Sequence, residues 1–178
     1  MSNTAWVLFF RAINVSGRNL IKMADLKTLL EQNNFQQVQT YIQSGNVSCI
    51  REGITQPMMP GLVEGLVNQH FSLEVAVVVK SKPQLHWILQ HIANTIPENI
   101  DVKGIYITLA NKDFPSNAAS LLEPFLLSGE ALYCTAEAII LTTPAYGQTK
   151  MSNALIEKKL QITATTRNWN TLHKMAHI

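Results

Sequence analysis

The sequence predicts an α+β fold made of two ferredoxin-like subdomains, each with an antiparallel sheet and helices packed on one face. Three observations lead to this prediction. Short apolar runs typical of strands alternate with apolar stripes at helical spacing. Up to residue 80 the order is strand, helix, strand, strand, helix, strand, and after one further helix the second half again has the order strand, helix, strand, strand, helix. A chain of 178 residues has room for two small domains. We therefore predict subdomains at residues 1–80 and 81–178.

The elements of the first subdomain follow from apolar periodicity and turn signals. The segment Gln43–Asn46 interrupts the second strand, and it is consistent with either a hairpin or a bulge within one strand. Pro60 suits the first turn of a helix. The predicted elements, in chain order, are a buried strand within 5–14, a helix from Met23 to about Asn33, strands at 38–42 and 47–50, a helix from Pro60, and a strand at 73–80.

The second subdomain opens with a capping box, in which Ser81 is the N-cap of a helix and Gln84 stands three residues later. Pro124 ends a short helix, and Thr149 is the expected N-cap of a later one. No residue-level repeat of the first half is detected. The predicted elements after the capped helix are a strand at 105–109, a helix after Ser116, strands at 131–134 and 138–142, a helix after Thr149, and a last helix at 169–176.

Composition excludes several classes of protein. With 47% hydrophobic and 15% charged residues, the chain has ample material for a core and is not disordered. The longest apolar run, Ala5–Phe10, is far shorter than the roughly 20 residues of a membrane helix, so we expect no membrane partner. The first residues carry no basic n-region, and two cysteines, Cys49 and Cys134, do not make a disulfide scaffold. We therefore expect a cytoplasmic protein.

The first candidate site follows the first predicted strand. Residues Arg11–Asn19, R-A-I-N-V-S-G-R-N, form a loop that leads into a helix. Such a loop presents backbone N–H groups to an anion, beside the helix N-terminus and the cations Arg11, Arg18 and Lys22. The spacing is neither that of a P-loop nor G-x-G-x-x-G. The structural alternative is that Gly17 only supplies the positive φ of a turn.

The second candidate site is the segment Tyr41–Val47, Y-I-Q-S-G-N-V. On the functional hypothesis, Gln43, Ser44 and Asn46 lie beside Arg11 on neighbouring strands, and their polar side chains bind a ligand. On the structural hypothesis they belong to a bulge whose side chains satisfy local backbone groups. Ser44 has no histidine near it in sequence to act as a base for a nucleophile. The shared-site hypothesis predicts one cavity faced by four residues, namely Arg11, Asn14, Gln43 and Asn46.

The third candidate site is Thr165–Thr171, T-T-R-N-W-N-T. Either Thr166 or Asn168 can cap the last helix. Arg167 and Trp169 are residue types that hold phosphates and stack on bases. The structural alternative is a core tryptophan and a structural ion pair. We predict that this segment packs against the loop at 11–19, so that the site lies between the subdomains, with Lys150 as a further cation.

Metal and acid–base chemistry have little support in the sequence. There is no H-E-x-x-H or C-x-x-C motif, and no two carboxylates stand at a suggestive spacing. His173 and His177 are four residues apart but have no acidic third ligand beside them. Cys49 and Cys134 fall in predicted strands, so we expect both thiols to be buried and inert. We expect no metal and no cofactor.

The candidate motifs together resemble those of a widespread family of bacterial proteins known only as domain of unknown function sixteen ninety-seven. Its members carry R-x-I-N-V-G-G, Y-x-Q-S-G-N, S-K-x-S-N and T-T-R-N-W-N-T. The corresponding segments of this chain are, in order, Arg11–Gly17, Tyr41–Asn46, Thr149–Asn153 and Thr165–Thr171. The resemblance covers nearly the whole chain. It implies two ferredoxin-like α+β subdomains, in agreement with the pattern of elements.

The chain departs from the family motifs at three positions. Ser16 replaces the second glycine, Lys22 stands where proline often opens the helix, and Thr149 replaces serine. The first change weakens the hypothesis of a glycine-lined anion nest. The resemblance implies no catalytic residue and no substrate, because the family has no established activity.

Three functional classes therefore remain open. The first is a protein that binds a phosphate-bearing or other anionic ligand, a nucleotide or single-stranded RNA, between the subdomains, although a net charge of +2 is weak support for nucleic acid. The second is an enzyme that holds a small polar substrate through Arg, Asn and Gln contacts. The third is an interaction module with purely structural motifs. The candidate ligand-binding residues are Arg11, Asn14, Gly17, Asn19, Gln43, Ser44, Asn46, Lys150, Arg167, Asn168 and Trp169.

Overall fold

The structure of the chain is a computed structural model, which describes residues 4–15, 17 and 19–178. It divides into two compact units, residues 1–85 with 175–178, and residues 86–174. The described residues form two four-stranded antiparallel sheets and six α-helices, which confirms the α+β class and the two ferredoxin-like subdomains. None of the helices in these residues is long and apolar enough to cross a membrane.

The first unit has the strand–helix–strand–strand–helix–strand order that the sequence predicts. Its sheet runs β2-β3-β1-β4, and every neighbouring pair is antiparallel. Ser48 on β3 donates its hydroxyl to the carbonyl oxygen of Ile178 at 3.0 Å, so residues 175–178 complete this unit. The elements are β1 (Ala5–Phe10), α1 (Met23–Gln32), β2 (Gln36–Tyr41), β3 (Asn46–Ile50), α2 (Met59–Phe71) and β4 (Val77–Ser81).

The core of the first unit lies between its sheet and its two helices. The central strand β1 contributes Trp6, Leu8 and Phe10 from one face, because successive side chains of a strand alternate between faces. Helix α1 contributes Leu26 and Leu30, both fully buried. The apolar stripe that predicts α1 is therefore the face that packs against the sheet.

The second unit repeats this order of elements and the same sheet arrangement. Its sheet runs β6-β7-β5-β8 and is again antiparallel throughout. Helix α3 (Lys82–Thr95) precedes it, and its start has the predicted capping box: the N–H of Ser81 donates to Gln84 Oε1 at 2.9 Å, and the N–H of Gln84 to Ser81 Oγ at 3.3 Å. The elements that follow are β5 (Ile105–Ala110), α4 (Ala118–Leu122), β6 (Ala131–Cys134), β7 (Ile139–Thr142), α5 (Asn153–Leu160), β8 (Ala164–Asn168) and α6 (Trp169–His177).

One hydrogen bond recurs at the same place in both units. A glutamate of the second helix accepts the N–H of the first residue of the last strand: Glu64 Oε1 from Val77 in the first unit, at 2.8 Å, and Glu157 Oε1 from Ala164 in the second, at 2.9 Å. Each carboxylate therefore ties its helix to an edge strand of its sheet. The two units share this interaction although their sequences show no repeat.

Two details of the second half differ from the sequence prediction. Strand β8 was not predicted, because its polar residues Thr165–Asn168 resemble a helix cap more than a strand. In the structure these residues form an edge strand that pairs with β5, a position that suits β-branched threonines. Thr149 does not cap α5. Ser152 does, since its hydroxyl accepts the N–H of Leu155 at 3.2 Å, whereas Thr149 Oγ1 accepts the N–H of Met151 in the turn before the helix.

Candidate functional site

In the first unit, the loop after β1 and the turn between β2 and β3 are joined by one side chain, that of Asn14. Its Nδ2 donates to the carbonyl oxygens of Ile21 and Gln43, both at 2.8 Å, and its Oδ1 accepts the N–H of Ile21 at 2.9 Å. The amide is thus saturated by the backbone of the fold. Asn14 has the role of a positioning residue, which fixes the loop against the hairpin turn.

The segment Gln43–Asn46 belongs to a hairpin turn, which decides between the two sequence interpretations. Ile42 and Gly45 have positive φ angles of 49° and 75°. Asn46 is fully buried and donates its Nδ2 to Tyr41 O and to Ser44 Oγ, each at 3.1 Å. The side chains of Ser44 and Asn46 thus make local contacts, as the structural hypothesis expected, but they do so in a hairpin turn and not in a bulge.

The described residues of the loop that carries the first motif include several left-handed conformations and hydrogen bonds to the backbone. Ala12, Asn14, Gly17 and Asn19 all have positive φ angles, between 47° and 74°. The N–H of Arg11 donates to Ala76 O at 2.8 Å, and Asn19 Nδ2 donates to Ala12 O at 3.3 Å. Glycine and asparagine adopt this left-handed conformation readily, so the strain falls mainly on Ala12. The predicted cations include Arg18, which lies outside the described residues.

A cleft of about 420 Å³ opens where this loop enters α1. We call it the α1 cleft. The structure places two of the four residues of the predicted shared cavity, Asn14 and Gln43, on its wall. Asn46 is instead enclosed in the hairpin. The residues that line the α1 cleft are Asn14, Leu20, Ile21, Lys22, Asp25, Gln43 and Phe71.

In the second unit, the T-T-R-N-W-N-T segment forms β8 and the start of α6. Arg167 donates its Nη1 to Thr165 Oγ1 at 2.7 Å and to Thr166 O at 2.9 Å, and burial lowers the pKa of its guanidinium to about 10. Asn168 caps α6 by accepting the N–H of Thr171 at 2.9 Å. Trp169 is half-buried and lines a small apolar cavity of about 150 Å³ with Ile92 and Ile105, among others. Lys150 is exposed.

Two motifs that stand apart in the sequence meet inside the second unit. Thr166 Oγ1 lies 2.8 Å from Thr108 Oγ1 and donates to Asn153 Oδ1 at 3.2 Å, while Asn153 Nδ2 donates to Ala164 O at 2.9 Å. Asn153 therefore joins the start of α5 to β8. This contact explains why asparagine ends the Thr149–Asn153 motif, and no local sequence pattern could have shown it.

A second cleft, of about 300 Å³, was missed by the sequence analysis. Its wall includes the stacked rings of Tyr106 and Tyr146, whose centroids lie 3.7 Å apart with an interplanar angle of 14°. We call it the tyrosine cleft. The two tyrosines are 40 positions apart in the sequence, so no local pattern connects them. The lining residues are Asn99, Ile100, Asp101, Lys103, Gly104, Tyr106, Gly129, Thr142, Thr143, Pro144 and Tyr146.

Glu130 fixes the loops beside the tyrosine cleft. Partial burial raises the pKa of its carboxyl, but hydrogen bonds from the N–H of Leu127 and the hydroxyls of Thr149 and Thr143 outweigh this effect, so the pKa lies below its usual value. Thr143 Oγ1 donates to Glu130 Oε1 at 2.9 Å. The carboxylate is therefore ionised at neutral pH and acts as an acceptor that holds three donors in place.

Both thiols are held in their protonated form by the fold. Burial raises the pKa of Cys49 to about 12 and that of Cys134 to about 11, with a small opposing effect of Lys82 on Cys49 and a further increase from Glu123 at Cys134. Because the thiolate is the nucleophile, we expect iodoacetamide at pH 8 to label neither cysteine of the native protein, and to label both in urea. Mass spectrometry of the labelled chain measures this; rapid labelling of the native protein would contradict it.

The described part of the chain contains no group of three histidine, cysteine, aspartate or glutamate residues that could hold a metal ion. The groups that the two clefts offer are amides, hydroxyls, an aromatic pair and single opposite charges. These groups can donate and accept hydrogen bonds, stack, and neutralise charge.

A family model matches residues 3–139 of the chain. The chain belongs to that family. It is described as "Protein of unknown function (DUF1697)", and the match includes the loop and hairpin of the first unit and the tyrosine Tyr106 of the second cleft. Family membership thus confirms the family that the resemblance names, and it leaves the activity to be inferred from the site.

Among solved structures, the chain is similar to the conserved bacterial protein SP0830 from Streptococcus pneumoniae. The TM-score is 0.75, the sequence identity is 21%, and the similarity covers 98% of each chain. At this identity the likeness concerns the fold. None of the curated proteins matches the chain.

Proposed function

We propose that this protein binds an anionic ligand that carries a phosphate group, and that the phosphate lies in the α1 cleft. The observation that carries the proposal is the position of this cleft at the N-terminus of α1, where the N-cap residue Lys22 and the first-turn residue Asp25 line its wall. The N-terminus of a helix concentrates backbone N–H groups and partial positive charge, which together favour phosphate.

The N-cap residue makes this helix end suited to an external anion. Lys22 has extended φ and ψ angles of −66° and 128°, and its side chain makes no capping hydrogen bond. A lysine side chain has donors only, so it cannot satisfy helix N–H groups as serine or aspartate does. Its exposed ammonium instead adds a full positive charge beside them.

The other walls of the α1 cleft supply shape and neutral polar groups. Asn14 holds the loop against the hairpin turn through backbone contacts, and the exposed side chain of Gln43 adds an amide. Asp25 is also exposed, and its carboxylate opposes an anion. A volume of about 420 Å³ is within the range of small-molecule sites. With a net charge of only +2, the chain suits a small anion better than a long nucleic acid.

Two substitutions with opposite expected effects test this proposal by isothermal titration calorimetry at low salt. The probes are inorganic phosphate and ribose 5-phosphate, which contain no aromatic ring. We expect Lys22→Ala to weaken binding about tenfold, because it removes a charge-assisted contact. We expect Asp25→Asn to tighten binding about twofold, because it removes a like charge at the same helix end.

The matched control is Lys27→Ala. Lys27 lies on the same helix but pairs with Glu31 at 3.7 Å, away from the cleft, and both side chains are nearly half exposed. Its replacement changes the net charge by the same amount and should leave binding unchanged. If Lys22→Ala and Lys27→Ala lose the same affinity for the probes, the effect reflects the net charge of the protein and not the α1 cleft. If the wild-type protein binds neither probe, the proposal is overturned.

A further inference from the structure

From the second unit, we infer a separate site: the tyrosine cleft binds a planar nitrogen heterocycle of the nucleobase class, whose ring lies against the stacked pair of Tyr106 and Tyr146. This inference goes beyond the phosphate site of the first unit and rests on different residues. The shared chemistry is that of the base, whether it comes from a free nucleoside or from single-stranded RNA.

The aromatic pair provides the apolar surface that such a ring needs. Tyr106 and Tyr146 are stacked at 3.7 Å, both rings are half-buried, and both line the cleft. Tyr106 belongs to β5 and Tyr146 to the turn after β7, so two different segments fix the pair. Bases stack on tyrosine with a favourable free energy that is insensitive to base identity, because every base has a π face.

The position of Tyr146 is also fixed at its hydroxyl end. The Tyr146 phenol lies within hydrogen-bonding reach of Thr166, whose hydroxyl oxygen contacts Thr108 Oγ1 at 2.8 Å. Burial and the neighbouring Tyr106 raise the pKa of the Tyr146 phenol, against the smaller opposing effects of Thr166 and Arg167, so the ring is neutral at physiological pH. A neutral, anchored ring is a preorganised stacking surface.

Polar groups at the mouth of the tyrosine cleft distinguish a base from a hydrocarbon ring. Lys103, Asp101 and Asn99 are all exposed there and offer both donors and acceptors. Asp101 Oδ1 accepts the N–H of Lys103 at 2.9 Å, which fixes the carboxylate and leaves its second oxygen for other donors. The edge of a nitrogen heterocycle carries donors and acceptors in the same plane and can bond to these groups, whereas a hydrocarbon ring gains nothing from them.

The walls of the cleft approach closely because one position is glycine. A Cβ atom at Gly104 would lie 2.7 Å from the carbonyl oxygen of Thr143. The N–H of Thr143 donates to Gly104 O at 2.9 Å, so the two segments are tied where the cleft narrows. The cleft of about 300 Å³ is therefore a formed feature of the second unit, of a size that suits a single base.

The experiment uses ligands that carry a base but no phosphate. Adenosine, guanosine, cytidine and uridine are titrated calorimetrically into the wild-type protein, with ribose as the base-free control. We expect at least one nucleoside to bind and ribose not to bind. A single-stranded hexaribonucleotide forms a second arm: tighter binding of the oligomer than of its nucleosides assigns the base to RNA, and equal binding assigns it to a small molecule.

Variants at Tyr146 decide whether this cleft is the site. We expect Tyr146→Leu to weaken nucleoside binding about tenfold or more, and Tyr146→Phe, which keeps the ring, to retain it within about threefold. Circular dichroism confirms that each variant is folded. Nucleoside binding in Tyr146→Leu equal to that of the wild type overturns the inference, as does absence of binding for all four nucleosides. Because these nucleosides lack the phosphate of the α1 cleft probes, the two proposals fail separately.

Discussion

Gly45→Ala should lower the free energy of unfolding by about 2–4 kcal/mol, the largest effect we expect from a single methyl group in this chain. A Cβ atom at this position would lie 2.5 Å from Ile13 Cδ1, 2.7 Å from Ile13 Cγ1 and 2.8 Å from Phe10 Cβ. Ile13 and Phe10 are both fully buried, so neither can move aside without disturbing the core. The φ angle of 75° adds backbone strain for any residue with a side chain.

The control separates crowding from strain. Gly53 has a similar φ of 68°, but nothing lies within 4 Å of a Cβ atom built there. Gly53→Ala should therefore cost only about 1 kcal/mol. Urea unfolding followed by tryptophan fluorescence measures the free energy of unfolding of both variants. If Gly45→Ala is recovered only as insoluble protein while Gly53→Ala is soluble, this also shows that Gly45→Ala is the more destabilising change. Equal losses would show that the hairpin turn adapts and that its packing is not specific.

Asn14→Asp should cost about 2–4 kcal/mol at neutral pH, although it changes only one atom of the side chain. The carboxylate keeps the acceptor for the N–H of Ile21 but replaces the donor that serves Ile21 O and Gln43 O, both at 2.8 Å. An oxygen then faces two carbonyl oxygens in a half-buried site. Asn19→Asp, which loses one long bond of 3.3 Å to Ala12 O, should cost about 1 kcal/mol.

The pH dependence of Asn14→Asp gives a second measurement. Facing two carbonyl oxygens, the introduced carboxyl has a higher pKa in the folded than in the unfolded state, because its charged form is the disfavoured one. The loss of stability is therefore complete above the folded-state pKa. It decreases as the pH falls through that value, since the protonated group can again donate to a carbonyl. Urea unfolding of the wild type and of Asn14→Asp between pH 4 and 7 tests this. A difference in their free energies of unfolding that does not change with pH would contradict it.

Most of the fold could be predicted because its strands and helices carry strong apolar periodicity. The buried strand β1 and the stripe of α1 are visible as patterns, and so is the capping box of Ser81 and Gln84, whose hydrogen bonds are local. Strand β8 is different. Its residues are polar and become more exposed along the strand, and its structure depends on pairing with β5 more than 50 residues earlier. Such non-local pairing leaves little trace in a short stretch of sequence.

The sequence could locate the candidate site in the first unit, but it could not assign a role to each of its residues. The motif residues Asn14 and Gln43 do lie together, because a loop and a hairpin turn meet at one end of the sheet. The side-chain amides of Asn14 and Asn46 form hydrogen bonds with backbone groups. These bonds depend on the left-handed conformations of Asn14 and Gly45, which the sequence indicates only weakly. The pair of Tyr106 and Tyr146 has no local signal, since its geometry depends on strand register and a turn.

The first unit consists of two separate stretches of the chain, and this affects the order in which the units are completed on the ribosome. Residues 86–174 are continuous, so the second unit has its entire sequence available as soon as residue 174 leaves the exit tunnel. The first unit also needs residues 175–178, including the Ile178 carbonyl that Ser48 binds. At ordinary translation rates these residues appear roughly 5–20 seconds after residue 85. The part of the protein that is synthesised first is therefore the part that receives its last residues only after the whole second unit has been translated.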